Sequence, residues 1–205
     1  MDIPIEIPGL NQMIPSLQTG RLVMVRGGED QAKRYFAQYL GEMGKKQGLS
    51  LIYVTSREKD EVFDQYRSSF NDGQGITVLE EQSPIQWALL LREGTLLVID
   101  SFSYLMMDAD MASFRGSLEG MRQACRKNGS VVVLVVDRGM ITPEKEAVTL
   151  HLVDGAVDFL TKETNEGLVR FIRIGRWMGN RVHDENIFYT FEEQHINVDL
   201  RKRVV

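Results

Sequence analysis

The sequence holds one cysteine, Cys125, in 205 residues. No disulfide can form within such a chain, and a reducing cytoplasm is the expected setting. No stretch approaches the roughly 18 uninterrupted apolar residues of a membrane-spanning helix. The opening "MDIPIEIPGL" is acidic and broken by proline, which argues against a secretory signal. Basic charge is short as well: 24 Lys and Arg stand against 29 Asp and Glu, a net charge of −5. That balance argues against a dedicated nucleic-acid binder, because neutralising phosphates requires clustered cations. The closing run Arg201, Lys202, Arg203 reads as a solvated tail. His151, His183 and His195 lie far apart, without cysteine or carboxylate partners at metal-ligand spacing, so no zinc site is expected. There is no G-x-S-x-G elbow, kinase signature, linker, low-complexity tract or internal repeat.

What is present is ordinary for a globular protein, with 43% hydrophobic and 26% charged residues, enough for one α/β domain over residues 1–205. Residues 1–20 form a lead-in segment, and residues 165–205 carry the last strands and the tail. Between them, apolar runs alternate with helical patterns. "RLVMV" (21–25) is a short buried strand. Ala32, Tyr35, Phe36, Tyr39, Leu40 and Met43 then mark one face of a helix that runs to about Lys46. "LSLIYVT" (49–55), "ITVLE" (76–80), "TLLVID" (95–100) and "VVVLVV" (131–136) are further strands, the last apolar enough to sit centrally in a sheet. Helices are expected over "KDEVFDQYRSSF", over "SPIQWALLLRE" with Ser83 as cap, and along the face Met111, Phe114, Leu118, Met121, Ala124 and Cys125. Another is expected after Thr142, with Pro143 in its first position. "GAVDFLTKE", "LVRFIRIGRW" and "NIFYTFEE" read as three strands joined by turns. Parallel strands linked by helices predict a three-layer fold with antiparallel strands at one edge, and ligands on such sheets bind beyond the carboxyl ends of the strands.

Ordered motifs carry a family resemblance over nearly the whole chain. "IPGLNQMI" (7–14), "TGRLVMVRGGEDQAKRYFAQYL", "LIYVTSRE", "TLLVIDSFSYL" and "RIGRWMGNRVHDENIFYTFE" fall in family order. They resemble, in turn, the lead-in, phosphate loop, second strand, Walker B strand and late segment of KaiC-like members of the RecA superfamily. The resemblance implies a RecA-like, P-loop NTPase-type fold, and assembly into rings with ATP between neighbouring subunits.

The reactive positions depart from that family. A working loop, G-x-x-x-x-G-K-[ST], wraps phosphates with backbone amides, offsets charge with its lysine, and binds Mg²⁺ through its hydroxyl. Gly27 and Lys33 match, with Gly28 beside the first; Ala32 takes the second glycine's place, and Arg34 the place of the hydroxyl. A guanidinium cannot coordinate a cation. Glu29 and Asp30 lie in the loop meant for a polyanion, and like charges ~4 Å apart cost on the order of 4 kcal/mol at an effective dielectric of about 20. The loop is therefore either a rewritten nucleotide site or a strand–turn–helix that keeps only the shape.

By the same resemblance, the family's acidic pair after the second strand falls on Arg57 and Glu58, leaving Glu58 as the candidate general base or as a plain helix-start acid. Asp100 and Ser101 align with the Walker B end, Asp100 being the Mg²⁺ residue if any metal is bound. The family's inter-subunit Lys and Arg fall on Arg176 and Met178; Arg181 lies in the same turn as a substitute finger, and the other reading has Trp177 and Met178 packing an apolar contact. Cys125 is expected to be an inert core residue, while Met106 and Met107 belong either to the core or to a soft binding surface.

Together these changes lead to the expectation of a domain that has lost conventional ATP hydrolysis and acts as a regulatory or assembly protein. It would bind itself, an active relative or a signalling protein, with no required cofactor. Two alternatives use the same residues. One is a divergent ATPase built on Lys33, Arg34, Glu58 and Asp100; the other is a sensor that binds ATP or ADP, with or without Mg²⁺, and does not turn it over. Nucleic acid and membrane are not expected partners.

Overall fold

The computed structural model describes residues 1–28, 31–70, 74–80, 84–165, 167–178, 186–193 and 195–199. Strands and helices alternate from β3 to β8, with α4 and α5 in succession between β6 and β7, and three further strands follow β8. A small hairpin comes first, β1 (Asp2–Pro4) with β2 (Ser16–Gln18), then β3 (Arg21–Gly27), α1 (Gln31–Lys46), β4 (Ser50–Thr55), α2 (Lys59–Phe70) and β5 (Ile76–Glu80). Next are α3 (Pro84–Leu90), β6 (Thr95–Asp100), α4 (Phe102–Met106), α5 (Met111–Asn128), β7 (Val131–Asp137) and α6 (Pro143–Leu152). The chain closes with β8 (Gly155–Thr164), β9 (Gly167–Trp177), β10 (Ile187–Glu192) and β11 (His195–Asp199).

Among the described residues nine strands form one sheet in the order β11-β10-β9-β8-β3-β7-β6-β4-β5. The run from β8 to β5 is parallel, and β9, β10 and β11 extend it antiparallel at one edge. Period-2 alternation divides the buried side chains between the two faces. Val23, Val25, Val131, Val133 and Val135 face α1, α2 and the lead-in, whereas Leu22, Met24, Val132, Leu134 and Val136 face α3 to α6. This is the three-layer arrangement expected, with the continuously apolar β7 inside the parallel part, between β3 and β6.

Local chemistry sets the element ends. Asp110 caps α5 by accepting from the Ser113 amide, and Gly129 closes that helix in the left-handed region at φ 64°. Thr142 caps α6 with Pro143 at its start, as the sequence predicts. The expected Ser83 cap lies outside the described residues. Four expectations are corrected. β3 continues to Gly27 because Arg26 and Gly27 still pair with β7 and β8. The lead-in forms a hairpin, and β11 adds a fourth strand where three were expected. Met111 is 40% exposed and not on the apolar face, because it occupies the first turn of α5 at the end of the layer. No described helix is long and apolar enough to cross a membrane.

Candidate functional site

The carboxyl ends of β3, β4, β6 and β7 meet beside the start of α1. Parallel register sets Gly27 against Asp137 and Thr55 against Asp100. Gly27 must be small: a Cβ there would lie 3.0 Å from the Phe159 carbonyl oxygen and 3.2 Å from Lys33 Cδ. The loop's first glycine thus serves close packing of the lysine stem and β8.

Lys33 in the first turn of α1 is 0% exposed. Its ammonium donates to Asp137 Oδ1 at 2.5 Å, to the Gly28 carbonyl, and to the Gly27 carbonyl at 3.4 Å. Asp137 also accepts from Ser101 Oγ at 2.5 Å and Ser103 Oγ at 3.4 Å, while its own amide donates to Ser103 Oγ at 2.9 Å. Burial pushes the Asp137 carboxyl up, but the Lys33 ammonium and the Ser101 hydroxyl outweigh it and hold the group below its ordinary range. The charge expected to meet phosphate is therefore met by an internal carboxylate.

Asp100, 1% exposed, is enclosed in the same manner. It accepts from the Tyr53 hydroxyl at 2.6 Å, Arg57 Nη2 at 3.1 Å and Arg34 Nε at 3.3 Å. Arg57 also donates to Glu61 and Gln65, each at 3.2 Å. Burial lowers the Arg57 pKa, yet Asp100, Tyr53 and Glu61 together more than restore it, and the group stays firmly cationic. Burial, then the Asp100 charge, pushes Tyr53 well above its ordinary value, so it remains a neutral donor. The peptide joining Asp100 to Ser101 is cis. Arg34 and Arg57, the two positions where the family's hydroxyl and acid have become basic, thus converge on one carboxylate. A divalent cation approaching Asp100 would meet two guanidinium groups, with repulsion on the order of 8 kcal/mol each at ~4 Å and an effective dielectric of about 20.

Glu58 is not part of this cluster. It is exposed just before α2, where its carbonyl accepts from the Val62 amide at 3.3 Å. It lines a recess of about 410 Å³ with Ser56, Arg57 and Glu80. A second recess, of about 580 Å³, opens between Gly28, Arg34 and the turn Asp137–Met140. The expected finger Arg176 donates to its own chain's Val153 carbonyl at 3.2 Å. Arg181 lies outside the described residues, as do Glu29, Asp30 and His183. Trp177 and Met178 pack inward, with Trp177 Nε1 donating to the Ser16 carbonyl at 2.8 Å.

The structure therefore brings Gly27, Gly28, Lys33, Arg34, Asp100 and Ser101 together and sets Glu58 and Arg176 apart. Sequence reasoning missed Asp137, Ser103, Tyr53 and the pairing of Arg57. Asp137 had a visible signal, since "VVVLVVD" ends as "TLLVID" does; Tyr53 had none, being one more apolar residue in a strand. Nearby, Arg26 clamps β3 to β8 through Asp158 at 2.6 and 2.9 Å and to Glu146 at 2.9 Å. Cys125 is buried, its thiol pushed up to about 12, chiefly by burial. Met106 is a core residue while Met107 is exposed. Among the described residues no group of three His, Cys, Asp or Glu could hold a metal ion.

Sheet order and strand-end site define a RecA-like α/β domain of the P-loop NTPase type, and solved structures agree. The KaiC-like protein PH0186 of Pyrococcus horikoshii OT3 superposes with a TM-score of 0.77 at 16% identity, over 97% of this chain and 99% of that one. The flagellar accessory protein FlaH of Methanocaldococcus jannaschii does so with 0.76 at 13% identity, over 97% and 98%. The chain belongs to the family of unknown function DUF7125, whose model matches residues 38–204. No curated protein matches it in sequence.

Proposed function

We propose that this chain is a RecA/KaiC-like domain without conventional ATP hydrolysis, working as a regulatory or assembly protein. The observation that carries the reading is the convergence of Arg34 and Arg57 on Asp100. Phosphoryl transfer on this fold depends on a metal bridging the outer phosphates and on a residue that orients the attacking water. Here two fixed cations stand in the metal's place, and one of them, Arg57, occupies the position where the resembling family has an acid. Lys33, paired with Asp137, is withdrawn from the charge it would have to stabilise.

What remains is a rigid scaffold with inherited surfaces, available to a second copy, an active relative or a signalling protein. A reducing cytoplasm fits its single buried thiol. FlaH is described as an accessory protein, which accords with an accessory role on this architecture; the reading itself rests on the site.

The test is phosphate release from ATP with Mg²⁺. Release at the level of the protein-free control is expected, together with a mass by light scattering that rises with concentration or with an added partner. Mg²⁺-dependent release that disappears in Asp100→Asn would mean the enzyme reading is right and this one wrong.

A further inference from the structure

Exposed apolar side chains gather at one place outside the Lys33 and Asp100 clusters. Among the described residues Met1, Leu89 and Leu168 are exposed on separate elements, which is ordinary for a globular surface. Tyr104, Met107, Met111 and Met140, each 40% to 49% exposed, lie instead on segments held against one another. We propose that this patch docks a basic amphipathic helix of a partner protein, an inference that rests on the regulatory or assembly reading above.

The patch is built locally. Tyr104 and Met107 stand at i and i+3 at the end of α4, where the Met107 amide donates to the Tyr104 carbonyl at 3.4 Å, so both lie on one helix face. Met111 opens α5 directly after the cap Asp110. The β7–α6 turn that carries Met140 is tied to α4 on either side of it. The Asp137 amide donates to Ser103 Oγ at 2.9 Å, and Lys145 donates to the Met107 carbonyl at 2.7 Å. Beneath, Phe102, Met106, Phe114 and Ile141 share one core cluster. β6 and β7 are interior strands, so no strand edge is offered here and side chains alone form the surface. An apolar helix face docks on such a surface, and unbranched methionine adapts its shape to the partner.

Charge identifies the partner. Asp108, Asp110 and Glu144 are exposed in these segments, against the exposed bases Arg115 and Arg138. Arg115 is already paired with Glu119 at 2.8 Å, and the buried Lys145 turns its ammonium to carbonyls. The Ser113 amide and hydroxyl, at 2.9 and 2.8 Å, keep Asp110 ionised. The surface excess around the methionines is therefore acidic. An acidic rim repels nucleic-acid phosphates and anionic lipid headgroups, both of which are bound through Lys and Arg. Two copies meeting on this patch about a twofold axis would bring their acidic rims together. A helix with one apolar face flanked by Lys or Arg complements both the methionines and the rim.

The probe is a labelled leucine–lysine peptide with its lysines along one helix face, titrated with the full chain and read by fluorescence anisotropy. Its leucine–glutamate counterpart is the control. The lysine peptide is expected to bind at least tenfold more tightly than the control. Met107→Ser with Met111→Ser should weaken that binding at least tenfold while the chain still unfolds cooperatively, since both side chains are exposed. Asp108→Lys with Glu144→Lys should move the preference to the glutamate peptide. No binding, or equal binding of the two peptides, overturns the inference. Unchanged binding by the methionine variant overturns it too, because the chain's overall acidity then holds the peptide. Binding to phosphatidylserine vesicles that the methionine variant loses would assign the patch to a membrane instead. A concentration-dependent mass that the same variant abolishes would assign it to a second copy, and either result overturns the proposed partner. The reading beneath is tested separately: only Mg²⁺-dependent phosphate release by the same preparation overturns the loss of hydrolysis.

Discussion

Lys33 and Asp137 form a buried pair in which each partner's charge depends on the other. Removing one leaves an uncompensated, largely buried charge, which costs about 3–5 kcal/mol, whereas replacing both with apolar groups is close to neutral. Lys33→Met and Asp137→Leu should each lower the urea midpoint strongly, and the double variant should recover most of the loss. If the singles are mild, the pair is open to water and the site is not internally closed. The pH dependence has a definite sign. The folded pKa of Asp137 is depressed, so its contribution is complete above the carboxyl's unfolded value of about 3.9 and is lost as pH falls through the folded value. Urea midpoints measured from pH 6 down to pH 2 should fall less steeply in Asp137→Asn than in the parent. At this scale the sequence was half legible. Arg34 and Arg57 were visible as departures from a motif, but that both reach the Asp100 carboxylate, one at each oxygen, depends on side-chain direction, which spacing does not encode.

At the scale of elements, α4 and α6 are tied by a buried lysine. Lys145 donates to the Met106 carbonyl at 3.2 Å and the Met107 carbonyl at 2.7 Å, and its ammonium lies 5.5 Å from the centre of the Phe114 ring. It thus adds a donor to carbonyls at the end of a short helix, where the dipole also favours a cation. Lys145→Met keeps the stem's packing and removes the Met107 carbonyl's lysine donor, while the Met106 carbonyl still accepts from the Ala109 amide at 3.3 Å, so a loss of about 1–3 kcal/mol is expected in denaturant unfolding. A neutral result would mean water replaces the ammonium there. Long periodic elements such as α1, α5 and β7 were readable because their apolar spacing repeats several times. The five-residue α4 and the three-residue β1 and β2 contain less than one or two repeats, and their existence is decided by tertiary contacts. Thr142 with Pro143 was the exception among short signals, because its capping chemistry is local.

For the molecule as a whole, one face of the sheet is covered partly by the lead-in. Ile3, Ile5, Ile7, Leu10, Ile14 and Leu17 are all buried against α1 and the strands, and the Trp177 indole is anchored to the Ser16 carbonyl. The segment was legible as a family-like prelude, but its weight in the core was not, since "IEIPGLNQMIPSL" has no clean period of 2 or 3.6. Full burial of each aliphatic side chain is worth about 1.5–3 kcal/mol, so the segment contributes on the order of 10 kcal/mol before ordering costs are subtracted. That is comparable with the 5–15 kcal/mol by which domains are stable at all. A chain that starts at Thr19 should therefore lose its cooperative unfolding transition and expose the α1 face, detected as binding of a hydrophobic dye. Retention of a sharp transition with only a few degrees of loss would mean the sheet and its helices hold without the lead-in. In that case the segment would be an appendage, free to leave the core and engage a partner.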